Sequence, residues 1–272
     1  IKVLKEYTIF LKGTEFATLT DVYKSLGLHL KDIKDLDSIF TSRVLGALDR
    51  LNSFKIIVNR TKIKKLQKHK NPDIRELANA YTLNIYDSED IYEFFDFTTE
   101  PFTPWQQLEY FQLITNRPLA PKADFGKWIN PKYESSIISL SLDLVAYYHQ
   151  ETAIEPIHSM IKIDHTKMRR KMIRTLGILN QKQSIVVLMN LYLEEDDMKC
   201  KTEIVKSLGY MGYKNEKVIH FLDELLKTEF HTNFRKAILI ALSRATGSES
   251  ILENKIYRYE LEKTVPNEQK IL

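Results

Sequence analysis

The sequence predicts an all-α protein, a solenoid of roughly six to seven stacked helix pairs behind an atypical N-terminal cap. Three observations predict it. Glycine and proline number only 8 each in 272 residues, about half their usual share, so the chain is short of tight-turn residues. One apolar pattern with helical spacing returns every 31 to 34 residues in the C-terminal half, a period typical of stacked helical repeats. Helix-entry signals recur at matching positions nearer the N-terminus.

Taken in chain order, LTDVYKSLGL reads as one or two cap helices, and Val44, Leu48 and Leu51, followed by Ile56 to Leu66, read as a degenerate repeat. Residues 1–70 thus form a basic cap and degenerate unit. At Asn71-Pro72-Asp73-Ile74-Arg75, Asn71 is placed to cap a helix and Pro72 to occupy its first turn, where no amide hydrogen is needed. The next unit is expected near Trp105, in TPWQQLEYFQLI, which makes residues 71–133 divergent repeats.

Residues 134–262 are expected to be the regular repeats, with a polar tail at 263–272. Met168, Met172, Ile173, Leu176 and Leu179 define a buried helix face, which recurs as Cys200, Ile204, Val205, Leu208 and Met211, then as Phe234, Ile238, Leu239, Leu242 and Ala245. A weaker copy is Ile137, Ser141, Leu142, Val145 and Tyr148. A basic residue follows the first apolar position in three of them: Arg169, Lys201 and Arg235. After each such helix comes a polar break and a second apolar stretch, as in NQKQSIVVLMNLYLEED, where Ile185, Leu188, Met189 and Tyr192 are expected to share a face. Gly177, Gly209 and Gly247 read as helix-end punctuation. Neither helix of such a unit covers its apolar face alone, so neighbours must stack.

These residues resemble the HEAT-repeat consensus. Asp73-Ile74-Arg75 and the run from His165 through Met168-Arg169 to Leu176-Gly177 look like its acidic or polar cap, apolar residue, arginine and Ala-Leu-Gly ending. The likeness covers Glu134 to Ile251 and, partially, Asn71 to Ile129. It departs where His165 stands for the entry aspartate and Lys201 for the arginine. The resemblance implies a right-handed α-solenoid of HEAT-like pairs and, with it, a binding surface; it transfers no mechanism. Phe125-Gly126-Lys127-Trp128-Ile129-Asn130 also looks like an element of bacterial HEAT-repeat proteins that carry a membrane anchor.

The search for chemistry returns little. The chain has neither GxGxxG nor GxxxxGK[ST] and no His-Glu dipeptide of the kind that iron-dependent hydroxylases built on HEAT repeats require. No two of its 7 histidines have i, i+4 spacing. Cys200 occupies a core register position, and Glu194-Glu195-Asp196-Asp197 falls at a turn between helices. Trp105, Trp128 and Tyr147-Tyr148, with Asp124 near Trp128, could furnish a DNA-glycosylase-like site, but each aromatic is also expected where a repeat core needs bulk. No catalytic residue, metal or cofactor is therefore assigned, and no small-molecule substrate is indicated.

Charge is uneven. The net +4 divides into +8 over residues 1–70 and −6 over 71–128, with the rest nearly balanced. The densest run, KIIVNRTKIKKLQKHK, supplies Arg60, Lys62, Lys64, Lys65 and Lys68 as a candidate patch for an anionic partner, either a nucleic-acid backbone or an anionic membrane surface. The leading expectation is a non-catalytic scaffold or adaptor that binds a protein partner along a concave surface of aligned second helices. Nucleic-acid binding by the basic N-terminal units is the alternative, and a glycosylase-like enzyme a more distant one. A single cysteine fits a reducing, cytoplasmic setting, and a segment preceding Ile1 could tether the domain to a membrane.

Overall fold

The computed structural model describes residues 2–117, 123–229 and 231–247, and among these every regular element is helical. The chain divides into two compact units, residues 1–123 and 124–272.

The first unit contains α1 (Lys2–Tyr7), α2 (Gly13–Ser25), α3 (Leu28–Asp35), α4 (Thr41–Ser53), α5 (Arg60–Leu66), α6 (Pro72–Ile85), α7 (Phe94–Phe97) and α8 (Pro104–Thr115). Entry signals in the sequence work as expected. Asn71 Oδ1 accepts the Ile74 amide at 3.2 Å ahead of Pro72, and Thr103 forms a reciprocal capping box with Gln106 ahead of Pro104. Val44, Leu48 and Leu51 of α4, Ile63 and Leu66 of α5 and Ile74, Ala78 and Tyr81 of α6 share one apolar core. That core runs straight across residue 70, where the sequence suggested a boundary. α3 is pinned to α4 by a buried carboxylate: Asp32 receives Arg50 through Nε at 2.9 Å and Nη2 at 2.5 Å, and also accepts the Tyr23 hydroxyl. Tyr23 in turn stacks on Phe54, with ring centroids 4.1 Å apart.

The slot near Trp105 is helical, but its register differs from the expected one. Trp105 is 71% exposed, and α8 buries Tyr110 and Ile114 instead. The other aromatics divide as well: Trp128 is buried, Tyr147 exposed and Tyr148 half-buried.

The second unit contains α9 (Ser135–Tyr148), α10 (Ile154–Met160), α11 (Thr166–Leu179), α12 (Gln183–Glu194), α13 (Met198–Met211), α14 (Glu216–Thr228) and α15 (Thr232–Thr246). The positions of the periodic apolar pattern are buried. All fifteen apolar positions of the three strong copies, on α11, α13 and α15, are buried, and so are Ile137, Ser141, Leu142 and Val145 of α9. α9, α11, α13 and α15 pack side by side as one row. Shorter-range pairing joins α12 to α13 and α14 to α15, so α13 and α15 each dock on the helix that precedes them in the chain. On α12 the buried set is Ser184, Ile185, Leu188 and Leu191, with Met189 and Tyr192 only half-buried. The second helix of the last expected repeat and the tail, residues 248–272, lie outside the described residues.

Gly177 and Gly209 differ from their expected role. Both lie inside helices, one turn before the end, where row helices touch. A Cβ on Gly177 would come within 2.8 Å of Ser207 Cβ, and one on Gly209 within 2.6 Å of Ala241 Cα. Their value is close approach between helices. The helix ends themselves are turned by left-handed residues, His149 after α9, Asn180 after α11 and Gly247 after α15.

Candidate protein-docking groove

Close packing leaves each row helix of the second unit few routes to solvent. On α11 the outward stripe is Arg170, Arg174 and Ile178; on α13 it is Thr202, Lys206 and Tyr210; on α15 it is Lys236, Ile240 and Arg244. Each stripe has i, i+4 spacing, so its members stand above one another along a single face. Arg174, Lys206 and Ile240 are register equivalents, and so are Ile178, Tyr210 and Arg244. Between the stripes lies a groove of about 660 Å³ whose floor includes Gly177, Ser207 and Ala237. The small floor residues that let the helices approach are also what leave the depression open.

The polar groups of the groove are arranged unequally. Glu203 is the one acid among its described lining residues, buried and held by Arg174 Nε at 2.9 Å. That pairing raises the Arg174 pKa, the hydrogen bond being the largest cause. The Arg244 guanidinium lies over the Tyr210 ring, 4.2 Å from its centroid. Lys206 and Lys236 are exposed and form no ion pair among the described residues. On the water-facing side Ile178 and Tyr210 stand at one end of their stripes and Ile240 midway along its own, interspersed with the cations Arg174, Lys206 and Arg244. Sequence periodicity did not single these residues out, although large residues at the non-core register shared by Ile178 and Tyr210 were a readable signal.

The basic residue that follows the first apolar position of a repeat has a different task. Arg75, Arg169 and Arg235 each donate through Nη1 to the carbonyl six residues earlier, His69, Ile163 and Glu229, at 2.8, 2.7 and 2.6 Å. Each satisfies backbone oxygen where the chain turns into the helix. Arg169 also forms a two-pronged pair with the buried Glu195, at 2.6 and 2.9 Å. Burial alone would raise the Glu195 pKa, but the Arg169 hydrogen bonds and the Asp197 amide outweigh it and hold the carboxyl below the usual range.

The five residues proposed from the basic run sit on or just beyond α5. Arg60 pairs with Asp90 and lies over the Tyr86 ring. Lys62 donates to Asp37 at 2.6 Å, and Lys64 reaches Glu93 at 2.8 Å and Asp90 at 3.3 Å. Lys68 lies 4.5 Å from the centroid of Phe97, and Lys65 is exposed. Acids of the negative middle segment, Asp90 and Glu93, thus fold back onto two of the five cations, Arg60 and Lys64, while Lys62 is held by Asp37 of the basic segment itself.

The remaining candidates are built into local structure. Asp124 Oδ1 accepts from the Gly126 amide and the Thr152 hydroxyl, both at 2.9 Å, beside the buried Phe125 and Trp128. Cys200 is fully buried and donates to the Thr166 carbonyl, and burial pushes its thiol up to about 11. His165 Nδ1 caps α11 at the Met168 amide, and His158 bonds the fully buried Ser184 across 2.9 Å. Among the described residues no cluster of three or more His, Cys, Asp or Glu is arranged to hold a metal, and no helix is long and apolar enough to cross a membrane.

No protein-family model matches the chain, and no curated protein matches it.

Proposed function

We propose that this protein is a non-catalytic scaffold or adaptor whose second unit is a HEAT-like right-handed α-solenoid, binding a protein partner in the groove across α11, α13 and α15. The groove is the observation that carries the reading: an open depression with Ile178, Tyr210 and Ile240 at its surface and a packed, motif-bearing helix row beneath it. In a stack of helix pairs, the row drawn closer together lies on the inside of the curve. The contacts at Gly177–Ser207 and Gly209–Ala241 therefore favour the row of α9, α11, α13 and α15 as the concave side, in place of the second helices expected from sequence.

The nucleic-acid alternative on α5 has less to draw on, because Arg60, Lys62 and Lys64 already hold carboxylates. A glycosylase-like site would need an available carboxylate beside open aromatics, whereas Asp124 is engaged and Trp128 buried. The test is a photo-crosslinking residue at Tyr210, introduced in cells that make the protein. A discrete protein adduct, lost when Ile240→Asp is added, is the expected result. Adducts to nucleic acid, or protein adducts indifferent to Ile240→Asp, would overturn the reading.

A further inference from the structure

We infer that the groove of the second unit takes an extended, acidic segment of the partner protein, its carboxylates meeting the cations and an apolar side chain packing against the exposed Ile178, Tyr210 and Ile240. The inference rests on the protein-binding reading and adds the chemistry of the bound segment. Three cations of the lining, Arg174, Lys206 and Arg244, stand among the three apolar residues, Lys236 lies one turn further along the α15 stripe, and Glu203, the only acid among the described lining residues, is covered and already paired. Lys206 and Lys236 on neighbouring helices have no counter-ion among the described residues, so an incoming carboxylate meets charge that no internal acid has neutralised. Arg174 keeps most of its side chain in solvent despite its bond to Glu203, leaving donors for a second acceptor.

Geometry selects an extended chain. Packed helices lie about 8–10 Å apart, and an extended peptide advances roughly 3.3 Å per residue, so a segment crossing the row presents a side chain to each successive helix every two to three residues. The floor is built of small residues, Gly177, Ser207 and Ala237. Single-stranded nucleic acid would want several open aromatic faces, but here Tyr210 stands with aliphatic neighbours and Arg244 covers its ring.

The experiment pans random peptides of roughly a dozen residues on the full chain and measures synthetic winners by fluorescence anisotropy. Enriched peptides should carry two or more Asp or Glu around an aromatic or aliphatic residue. Their affinity should fall about tenfold or more for the double variant Lys206→Glu/Lys236→Glu, whose sites are exposed and whose melting should match the parent. Winners that are neutral or basic yet depend on Tyr210, or acidic winners that bind the double variant equally well, overturn the inference and leave the protein-binding reading standing. No enriched peptide, together with a fluorescent oligonucleotide whose binding needs Lys206 and Lys236, overturns both.

Discussion

At the scale of single residues, one atom decides how the second unit packs. A methyl on Gly209 would meet the Ala241 backbone at 2.6 Å, closer than side-chain carbons ordinarily come, and the obstacle is main chain that cannot swing aside. Alanine is the better helix former by about 1 kcal/mol, so on an isolated helix the substitution would help. In the packed row the clash wins, and Gly209→Ala is expected to lower unfolding free energy by about 1–3 kcal/mol, read from urea midpoints. A stabilised variant would show that α13 and α15 sit further apart. The same residue shows where sequence reading falls short. Glycine in a one-dimensional pattern is equally consistent with a turn and with a close crossing, and only the position of Ala241 separates them. Trp105 was misplaced for a related reason: the 31-residue step finds the helix, but α8 is rotated about its axis, so Tyr110 and Ile114 take the inward positions.

At the scale of elements, the repeat register was legible because it depends on burial alone, which a 3.6-residue period reports directly. The Asn71 cap was legible because its chemistry is standard, whereas the capping box at Thr103 emerges only from the structure. The ties between elements were less so, since Arg169 and Glu195 are 26 residues apart and meet only when the end of α12 returns to the start of α11. Their pairing has a pH signature. The Glu195 carboxyl titrates lower in the folded protein than in the unfolded chain, so its contribution is complete above the unfolded value of about 4.3 and is lost as pH falls through the lower folded value. Glu195→Gln should therefore reduce stability at pH 7 while flattening the loss of stability between about pH 4.3 and the acid transition. The check is a set of denaturant titrations from neutral to acidic pH. Parallel curves for parent and variant would assign the pH dependence to other carboxylates.

At the scale of the whole molecule, two units with separate cores should lose structure separately. Removing Asp32 strands Arg50 and Tyr23, and because Arg50 retains some water the expected cost is about 3 kcal/mol, the low end for a broken buried pair. Leu208 is fully buried in the α11–α13–α15 row, and an aspartate there places an unpaired charge in a shared apolar layer. By hydrogen exchange, Asp32→Ala should speed exchange in α2 to α6 and leave α11 to α15 protected, while Leu208→Asp should do the reverse. Either variant loosening both units together would mean the cores are not separate. Charge belongs to this scale as well. The sequence shows a basic end and an acidic middle, whereas the fold places Asp90 and Glu93 on Arg60 and Lys64, so much of the apparent polarity is internal bookkeeping.

The single exposed stripe on each row helix carries one more implication. Since the arginines at the helix entries and the core register are committed to holding the helices together, outward positions such as Lys206 and Ile240 can be exchanged with little effect on folding, whereas Arg174 also holds the buried Glu203. On the proposed reading, binding preference is thereby separated from foldability: replacing Lys206 or Ile240 would rewrite one site while the neighbouring sites keep theirs, and such a binder would be retuned by local edits, one helix at a time.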